Sequence, residues 1–162
     1  YTTTDIIAPQ IGGSVKNVIA LATGVIEGAR LGDNARSALI CRGLNEMTHL
    51  AKALGGHMRT MMGMSGLGDL VLTATATQSR NFSFGYEVGR LGSAQPVLNS
   101  NTKTVEGILT APAVLKRANE LNVEMPICET VNNVLFKGMP IKEAMNELLS
   151  RPFKDEGFSF LD

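Results

Sequence analysis

Lys16 is the residue whose setting in the sequence most suggests chemistry. It lies in an apolar segment, and its own side of the predicted helix carries small or polar residues at Ala20, Thr23 and Glu27. The plain interpretation is a lysine whose stem packs while its ammonium reaches water. The functional alternative is a partly buried ammonium, which desolvation would suit to general acid or base work. The pattern taken alone favours the plain interpretation.

Asp69 and Thr73 form a second candidate group. They are four residues apart, so they would share one face if their segment is helical. The simpler interpretation of Asp69 is a helix N-cap, and for this residue alone it is the better one.

The run Ser79-Arg80-Asn81 opens a predicted helix and is a candidate anion site. A helix N-terminus presents free backbone N–H groups and positive dipole, and a guanidinium beside it adds a bidentate clamp for phosphate. Simple capping by Ser79, with an exposed Arg80, explains the same residues equally well. Together with Lys16 and Asp69, the run sketches an anion site with an acid nearby.

Other residues that could do chemistry fit simpler explanations. The glycines from Gly63 to Gly68 follow a G-x-x-G-x-G spacing with no strand before them, so we expect a tight turn with close backbone approach, not a dinucleotide loop. The clustered methionines are expected to fill gaps in the core, and no metal site is expected; they are Met58, Met61, Met62 and Met64. His49 and His57 are expected to be surface or packing residues.

The elements that must position these residues are predicted to be helices throughout. Apolar spacing predicts helices over 13–29, over 33–54 with Asp33 as N-cap, and over 81–91. The second of these looks like the central helix of the domain, ended by Gly55-Gly56. Residues 69–77 are strand-prone, but we favour a helix because no partner strand is visible. Residues 92–102 are predicted to be a polar, mobile loop.

The last third of the chain predicts three more helices and a tail. Pro112 falls in the first turns of one helix, Pro126 starts the next, and Pro140 starts the last. Residues 151–162 show little periodicity and are expected to be loosely held. The fold class is therefore predicted to be all-α.

Composition bounds the class of protein. The 162 residues suit one domain, and 15 basic against 15 acidic side chains argue against a general nucleic-acid binder. Residues 17–26 are apolar but far shorter than the roughly 20 residues of a membrane span. No secretory signal is visible, and Cys41 and Cys128 are expected to be buried thiols in a reducing cytoplasm. A first residue other than Met suggests a fragment of something longer.

Three blocks of sequence closely resemble one enzyme family. They are Gly12-Gly13-Ser14-Val15-Lys16-Asn17-Val18, Met62-Gly63-Met64-Ser65-Gly66-Leu67-Gly68-Asp69-Leu70 and Gln78-Ser79-Arg80-Asn81. Asn34-Ala35-Arg36, Val105-Glu106-Gly107 and Met125-Pro126-Ile127 agree as well. In order and spacing, these resemble the NAD(P)-dependent glycerol-3-phosphate dehydrogenases of bacterial type. The resemblance runs from about residue 11 to 149 and concerns only the C-terminal, helical substrate domain of that family.

That resemblance implies a fold and a set of roles. The fold would be a multi-helix domain of the 6-phosphogluconate dehydrogenase C-terminal-like type, occupying 1–162 with an ordered core over 11–150. Lys16 would be the catalytic acid or base, with Asn17, Asp69 and Thr73 orienting it and the substrate hydroxyl. Ser79, Arg80 and Asn81 would bind the substrate phosphate, joined by Lys16 and Asp69. Arg80, Thr104 and Glu106 would touch the NAD or NADP cofactor.

The resemblance also implies what this chain lacks. The family's Rossmann domain, which holds most of the cofactor, and a further substrate lysine precede the matching region, so the isolated chain is expected to fold but not to catalyse. The implied substrates are dihydroxyacetone phosphate and glycerol 3-phosphate. The enzyme would be a cytoplasmic homodimer that supplies glycerol 3-phosphate for phospholipid synthesis. The alternatives are the substrate domain of another hydroxyacid dehydrogenase, which would not need the phosphate clamp, and a non-catalytic dimerisation or ligand-binding module.

Overall fold

The computed structural model describes residues 2–150, and the side chains among them up to residue 148. The described chain is helical, without strands, so the predicted all-α class is confirmed. The predicted loose tail over 151–162 lies outside the described residues. The helices are α1 (Ile7–Gly28), α2 (Asp33–Ala53), α3 (Met58–Met61), α4 (Asp69–Thr75), α5 (Arg80–Leu91), α6 (Gln95–Ser100), α7 (Glu106–Glu120), α8 (Pro126–Phe136) and α9 (Ile141–Ser150), with a π-helical turn at Met64–Gly68.

Helix α1, and not α2, is the centre of the domain. It packs against α2, α4, α5, α7 and α8, and it is buried without interruption from Asn17 to Ile26. A helix that is apolar all round is stable only when neighbours cover every side. The expectation that α2 forms the centre is wrong, because α2 keeps a polar outer face and α1 does not.

Backbone contact between α1 and α5 is the closest packing in the core. A Cβ atom at Gly24 would lie 2.1 Å from the carbonyl oxygen of Phe82, and one at Gly28 would lie 2.0 Å from that of Tyr86. Gly85 and Gly89 on α5 meet carbonyl oxygens of α1 at 2.0 and 2.2 Å in the same way. No side chain fits at these four positions, so the glycines set the distance between the two helices.

The carboxylate of Asp5 determines where α1 begins. Its Oδ1 accepts from the N–H of Ile7 at 3.0 Å and of Ala8 at 3.1 Å, and its Oδ2 accepts from the N–H of His57 at 2.9 Å. The helix therefore starts six residues before the predicted position. The N–H of His57 is the chief cause that lowers the pKa of Asp5 to about 2, with smaller help from Ala8, Thr60 and Ile7 against the raising effect of burial.

The other helix boundaries mostly follow the sequence. Helix α2 begins at Asp33, but Asp33 does not cap it; Gly32 precedes the helix with φ +89°, and the Asp33 carboxylate pairs with Arg36 at 2.7 Å. Gly55, with φ +89°, ends the helix as predicted. Residues 69–75 are helical, α8 starts at the predicted Pro126, and α9 starts at Ile141, one residue after the predicted Pro140.

Two expectations about the second half of the chain are wrong. The predicted loop over 92–102 contains α6, because Ala94 and Val97 are buried and hold that turn against the core. Helix α7 begins at Glu106, so Pro112 lies inside it and not in its first turns.

The thiols and methionines are also placed differently from expectation. Cys128 is buried, and desolvation together with the nearby Glu46 carboxylate raises the pKa of its thiol, but Cys41 is exposed on α2. Met61 is fully buried as predicted, whereas Met64 is 70% exposed. His49 and His57 are both surface residues. Within residues 2–150, no helix combines the length and hydropathy needed to cross a bilayer.

Glu46 makes a long-range contact that no sequence motif indicates. This buried carboxylate on α2 accepts from the N–H groups of Ile127 at 2.6 Å and Cys128 at 3.4 Å, at the N-terminus of α8. A carboxylate at that end satisfies free N–H groups and complements the helix dipole. Glu46 therefore fixes α8 against α2.

The α1–α5 contact predicts opposite effects of the same substitution at two glycines of α1. Gly24→Ala must push the helices apart and should lower the free energy of unfolding by about 2 kcal/mol or more. Gly13→Ala is the matched control, since nothing lies within 4 Å of a Cβ there. It should raise stability by about 0.5–1 kcal/mol through helix propensity. Urea unfolding followed by circular dichroism measures both, and equal effects would contradict the close-contact explanation.

Asp5 predicts a specific loss of stability in acid. Because its pKa is about 2 in the folded protein against an ordinary 3.8, its contribution is complete above pH 3.8 and is lost as the pH falls toward 2. Asp5→Asn should therefore destabilise the protein at pH 7, and the difference from wild type should shrink between pH 4 and pH 2. Unfolding free energies across that range measure it. A difference that stays constant with pH would contradict the assigned hydrogen bonds.

Candidate functional site

Lys16 points from the middle of α1 to the start of α4. Its side chain is 20% exposed, and its Nζ forms an ion pair with Oδ2 of Asp69. The ammonium is thus partly buried and paired, and does not extend freely into water. A proton held at this position is accessible from the surface yet fixed in direction.

Asp69 is held in place by Thr73, one turn along α4. The Thr73 hydroxyl donates to the Asp69 carbonyl at 2.7 Å and lies 3.4 Å from the carboxylate Oδ1. The predicted shared face is therefore present. The N-cap interpretation of Asp69 is wrong, because Asp69 is the first residue of the helix and its carboxylate faces Lys16.

Asn17, next to Lys16, belongs to a buried network that joins three helices. Its Nδ2 donates to Oε2 of Glu106 at 2.9 Å and to the carbonyl of Gly13 at 3.2 Å. Its Oδ1 accepts from Nδ2 of Asn81 at 3.0 Å. The Asn81 side chain completes the network by accepting from the N–H of Gly107 at 2.8 Å. The network ties α1 to the first turns of α5 and α7.

Gly107 belongs to this network, although the sequence predicted no role for it in the site. A Cβ there would lie 2.7 Å from the carbonyl oxygen of Asn17 and 3.0 Å from Oδ1 of Asn81. Only glycine lets the start of α7 approach so closely. The available signal was the Glu-Gly pair at the beginning of a helix.

The N-terminus of α5 combines a cap with an exposed cation. The Ser79 hydroxyl accepts from the N–H of Phe82 at 3.4 Å, so Ser79 is a cap as well as a cleft residue. Arg80 is 58% exposed, and its Nη2 lies 3.8 Å from Oε1 of Glu106. The guanidinium is thus available to an anion, with one carboxylate beside it.

Thr73, the asparagine network and the start of α5 border one open cleft of about 370 Å³. Its walls come from α1, α4, α5 and the start of α7; the lining residues are Asn17, Leu72, Thr73, Ala76, Gln78, Ser79, Arg80, Asn81 and Glu106. Thr73 links this cleft to the Lys16–Asp69 pair. The Lys16–Asp69 pair therefore lies next to a cleft that contains an exposed guanidinium, and such groups are able to transfer protons and to bind anions.

Three predicted site residues do not line this cleft: Lys16 and Asp69, which pair with each other next to Thr73, and Thr104. Thr104 is exposed on the segment before α7, two residues from Glu106. Leu72, Ala76 and Gln78 line the cleft although residue chemistry alone did not mark them. They lie on either side of predicted residues in the same short segment, so proximity in the sequence was the only signal.

The glycine-rich run is a packing device, as predicted. Met64–Gly68 forms a π-helical turn, and a Cβ at Gly66 would lie 2.0 Å from the carbonyl oxygen of Met61. No strand precedes it among the described residues. The run therefore packs against α3 through Gly66 and leads directly into Asp69, the first residue of α4.

The chain is similar over nearly its whole length to known enzymes. Residues 5–146 match the family model described as the C-terminus of NAD-dependent glycerol-3-phosphate dehydrogenase. Glycerol-3-phosphate dehydrogenase [NAD(P)+] of Rhodospirillum rubrum is 49% identical over 98% of this chain and 46% of its own length. The enzyme of that name from Staphylococcus aureus is 42% identical over 96% of this chain and 47% of its own length. The chain thus spans about half the length of these relatives.

Solved structures agree with the sequence comparison. The crystal structure of glycerol-3-phosphate dehydrogenase from Coxiella burnetii superposes with a TM-score of 0.88 at 40% identity, covering 93% of this chain and 46% of that one. The Saccharomyces cerevisiae enzyme has the same fold, with a TM-score of 0.79 at 24% identity over 89% of this chain and 42% of that one. The chain belongs to the NAD-dependent glycerol-3-phosphate dehydrogenase family and matches the C-terminal domain of that family.

Proposed function

We propose that this chain is the substrate-binding half of a glycerol-3-phosphate dehydrogenase, which interconverts sn-glycerol 3-phosphate and dihydroxyacetone phosphate with NAD or NADP. The observation that carries the proposal is the Lys16–Asp69 ion pair, linked through Thr73 to the cleft that holds Arg80. A hydroxyacid dehydrogenase acting on a carboxylate alone would not need that clamp. A purely structural module would in turn be expected to tolerate the loss of Lys16 and Asp69.

The substrate phosphate is assigned to the start of α5. Arg80 offers two parallel N–H donors on an exposed guanidinium, and α5 is long enough, at 12 residues, to present a helix dipole. The Asn81 side chain is already engaged by Asn17 and Gly107, so Asn81 contributes through its backbone N–H and by holding the helix. Ser79 lines the same wall of the cleft.

Lys16 is assigned the proton. In the direction of reduction the carbonyl carbon gains a hydride, and the carbonyl oxygen takes a proton from Nζ of Lys16 to give the hydroxyl. The positive charge of Lys16 also stabilises the negative charge that develops on that oxygen. Asp69, held by Thr73, keeps Nζ in place, and Asn17 is held so that the adjoining turn of α1 does not shift.

The nicotinamide cofactor, when bound, supplies or accepts the hydride. The described residues fit a contact with it better than a full binding site, because Arg80 and Glu106 stand at the exposed edge of the cleft while the glycine-rich run is buried in packing. Arg80, Glu106 and Thr104 are therefore assigned to contact the cofactor, and a preceding Rossmann domain to hold most of it.

Exposed apolar residues around the cleft support its closure by a second body. Met64, Leu72 and Leu109 are each about 70% exposed and lie within five residues of Asp69, Thr73 or Glu106. Such a border is typical of a surface that another domain covers. We assign that cover to the cofactor-binding domain. The proposal extends to a homodimer, a cytoplasmic location and a role in supplying phospholipid synthesis, each of which is consistent with the family.

The proposal predicts a large loss of activity on removing the Lys16 ammonium. In the complete enzyme, Lys16→Met should lower kcat for dihydroxyacetone phosphate reduction by about 100-fold or more, because both the proton and the positive charge are lost. NAD(P)H oxidation followed by absorbance measures it. Lys116→Met, an exposed lysine on α7 outside the cleft, is the matched control and should leave kcat unchanged.

The isolated 162-residue chain should show no turnover in the same assay, because half of the geometry for hydride transfer is supplied elsewhere. Full activity of Lys16→Met would reject Lys16 as the proton donor. No oxidation by a folded wild-type enzyme would reject the proposed substrate.

A further inference from the structure

The proposed phosphate cleft carries no net charge. Of the nine residues that line it, only Arg80 and Glu106 are ionic, and they face each other with Nη2 and Oε1 3.8 Å apart. A site that binds an anion with one cation usually leaves that cation free. Here a carboxylate stands beside the only guanidinium of the lining, at the place where the phosphate would enter.

Glu106 cannot simply swing away from this position. Its Oε2 is held by Nδ2 of Asn17 at 2.9 Å, and Asn17 is held in turn by buried Asn81. Glu106 is also the first residue of α7, where the helix dipole favours a negative charge. The carboxylate is therefore anchored on one oxygen and presents the other to Arg80.

Arg80 has no comparable anchor in the cleft wall. It is 58% exposed, and its contact with Glu106 is at ion-pair distance without the shorter separation of a charge-assisted hydrogen bond. The N–H groups of Arg80 can therefore donate hydrogen bonds to an arriving phosphate in place of the ion pair with Glu106. The bound phosphate would then lie close to a carboxylate that stays where it is.

We propose that Glu106 is a binding-site residue that weakens anion binding at Arg80. It partly neutralises the guanidinium and repels the bound phosphate, so that inorganic phosphate and phosphorylated ligands bind weakly and leave readily. The inference rests on the proposed phosphate site and deepens it. Because both groups are exposed, solvent screens the repulsion and its effect on affinity is moderate.

Titration of this chain with inorganic phosphate tests the inference without cofactor or activity. Backbone and Arg80 side-chain N–H signals are followed by two-dimensional NMR, with ionic strength held constant by sodium chloride. Glu106→Gln keeps an oxygen to accept from Asn17 but removes the charge, and should lower the Kd for phosphate about three- to tenfold. Glu129 is an exposed residue of α8 that does not line the cleft. Glu129→Gln changes the net charge equally and should leave the Kd for phosphate unchanged.

Arg80→Gln separates this inference from the proposed function. It should weaken phosphate binding about tenfold or more, since the charge-assisted donors are lost. If Arg80→Gln binds like wild type, or if no form gives saturable binding, the phosphate site and the role of Glu106 both fail. If Arg80→Gln weakens binding but Glu106→Gln does not tighten it, only the role of Glu106 is overturned. Thermal unfolding of Glu106→Gln verifies that the variant is folded.

Discussion

The backbone contact between α1 and α5 is the constraint on which the other features depend. Four glycines allow the two helices to approach closely. A Cβ atom at any of the four positions would lie 2.0–2.2 Å from a carbonyl oxygen of the other helix, so no other residue fits there. That approach places the middle of α1 beside the first turn of α5. The side chains of Asn17 and Asn81 can then form a hydrogen bond of 3.0 Å, and the same placement brings Asn17 and Arg80 into one cleft lining. The site is thus a consequence of the core and not an addition to its surface.

Each cation of the site faces a carboxylate that is held by a different helix. Lys16 on α1 is paired with Asp69 on α4, and Arg80 on α5 is paired with Glu106 on α7. The Asp69 carboxylate accepts from the Thr73 hydroxyl at 3.4 Å, and the Glu106 carboxylate accepts from Nδ2 of Asn17 at 2.9 Å. The second pair is the looser of the two and lies at the mouth of the cleft. Such an arrangement fixes the positions of the charges before any ligand binds. The guanidinium of Arg80 can still exchange Glu106 for another anion.

Much of this organisation could be predicted from residue patterns. Apolar periodicity identified α1, α2 and α5, the Gly55-Gly56 pair and the later prolines marked helix ends, and the absence of a partner strand decided the segment 69–77. The predictions of the start of α1 and of a loop over 92–102 were wrong for physical reasons. Asp5 is too far from the apolar run to be recognised as its start, and its partner His57 lies 52 residues away. Ala94 and Val97 make a helix of a polar stretch only because the core covers them.

The sequence by itself determined the fold class, the family and a set of candidate site residues, because helix periodicity and local motif spacing are properties of neighbouring residues. Only the tertiary structure decided which of those residues act together. It moved Asp69 from a cap to the partner of Lys16, engaged the Asn81 side chain within the core, set Glu106 against Arg80, and left Thr104 outside the cleft lining. These contacts join residues 26 to 64 positions apart, and their geometry is set by how closely packed helices approach, which no local pattern encodes.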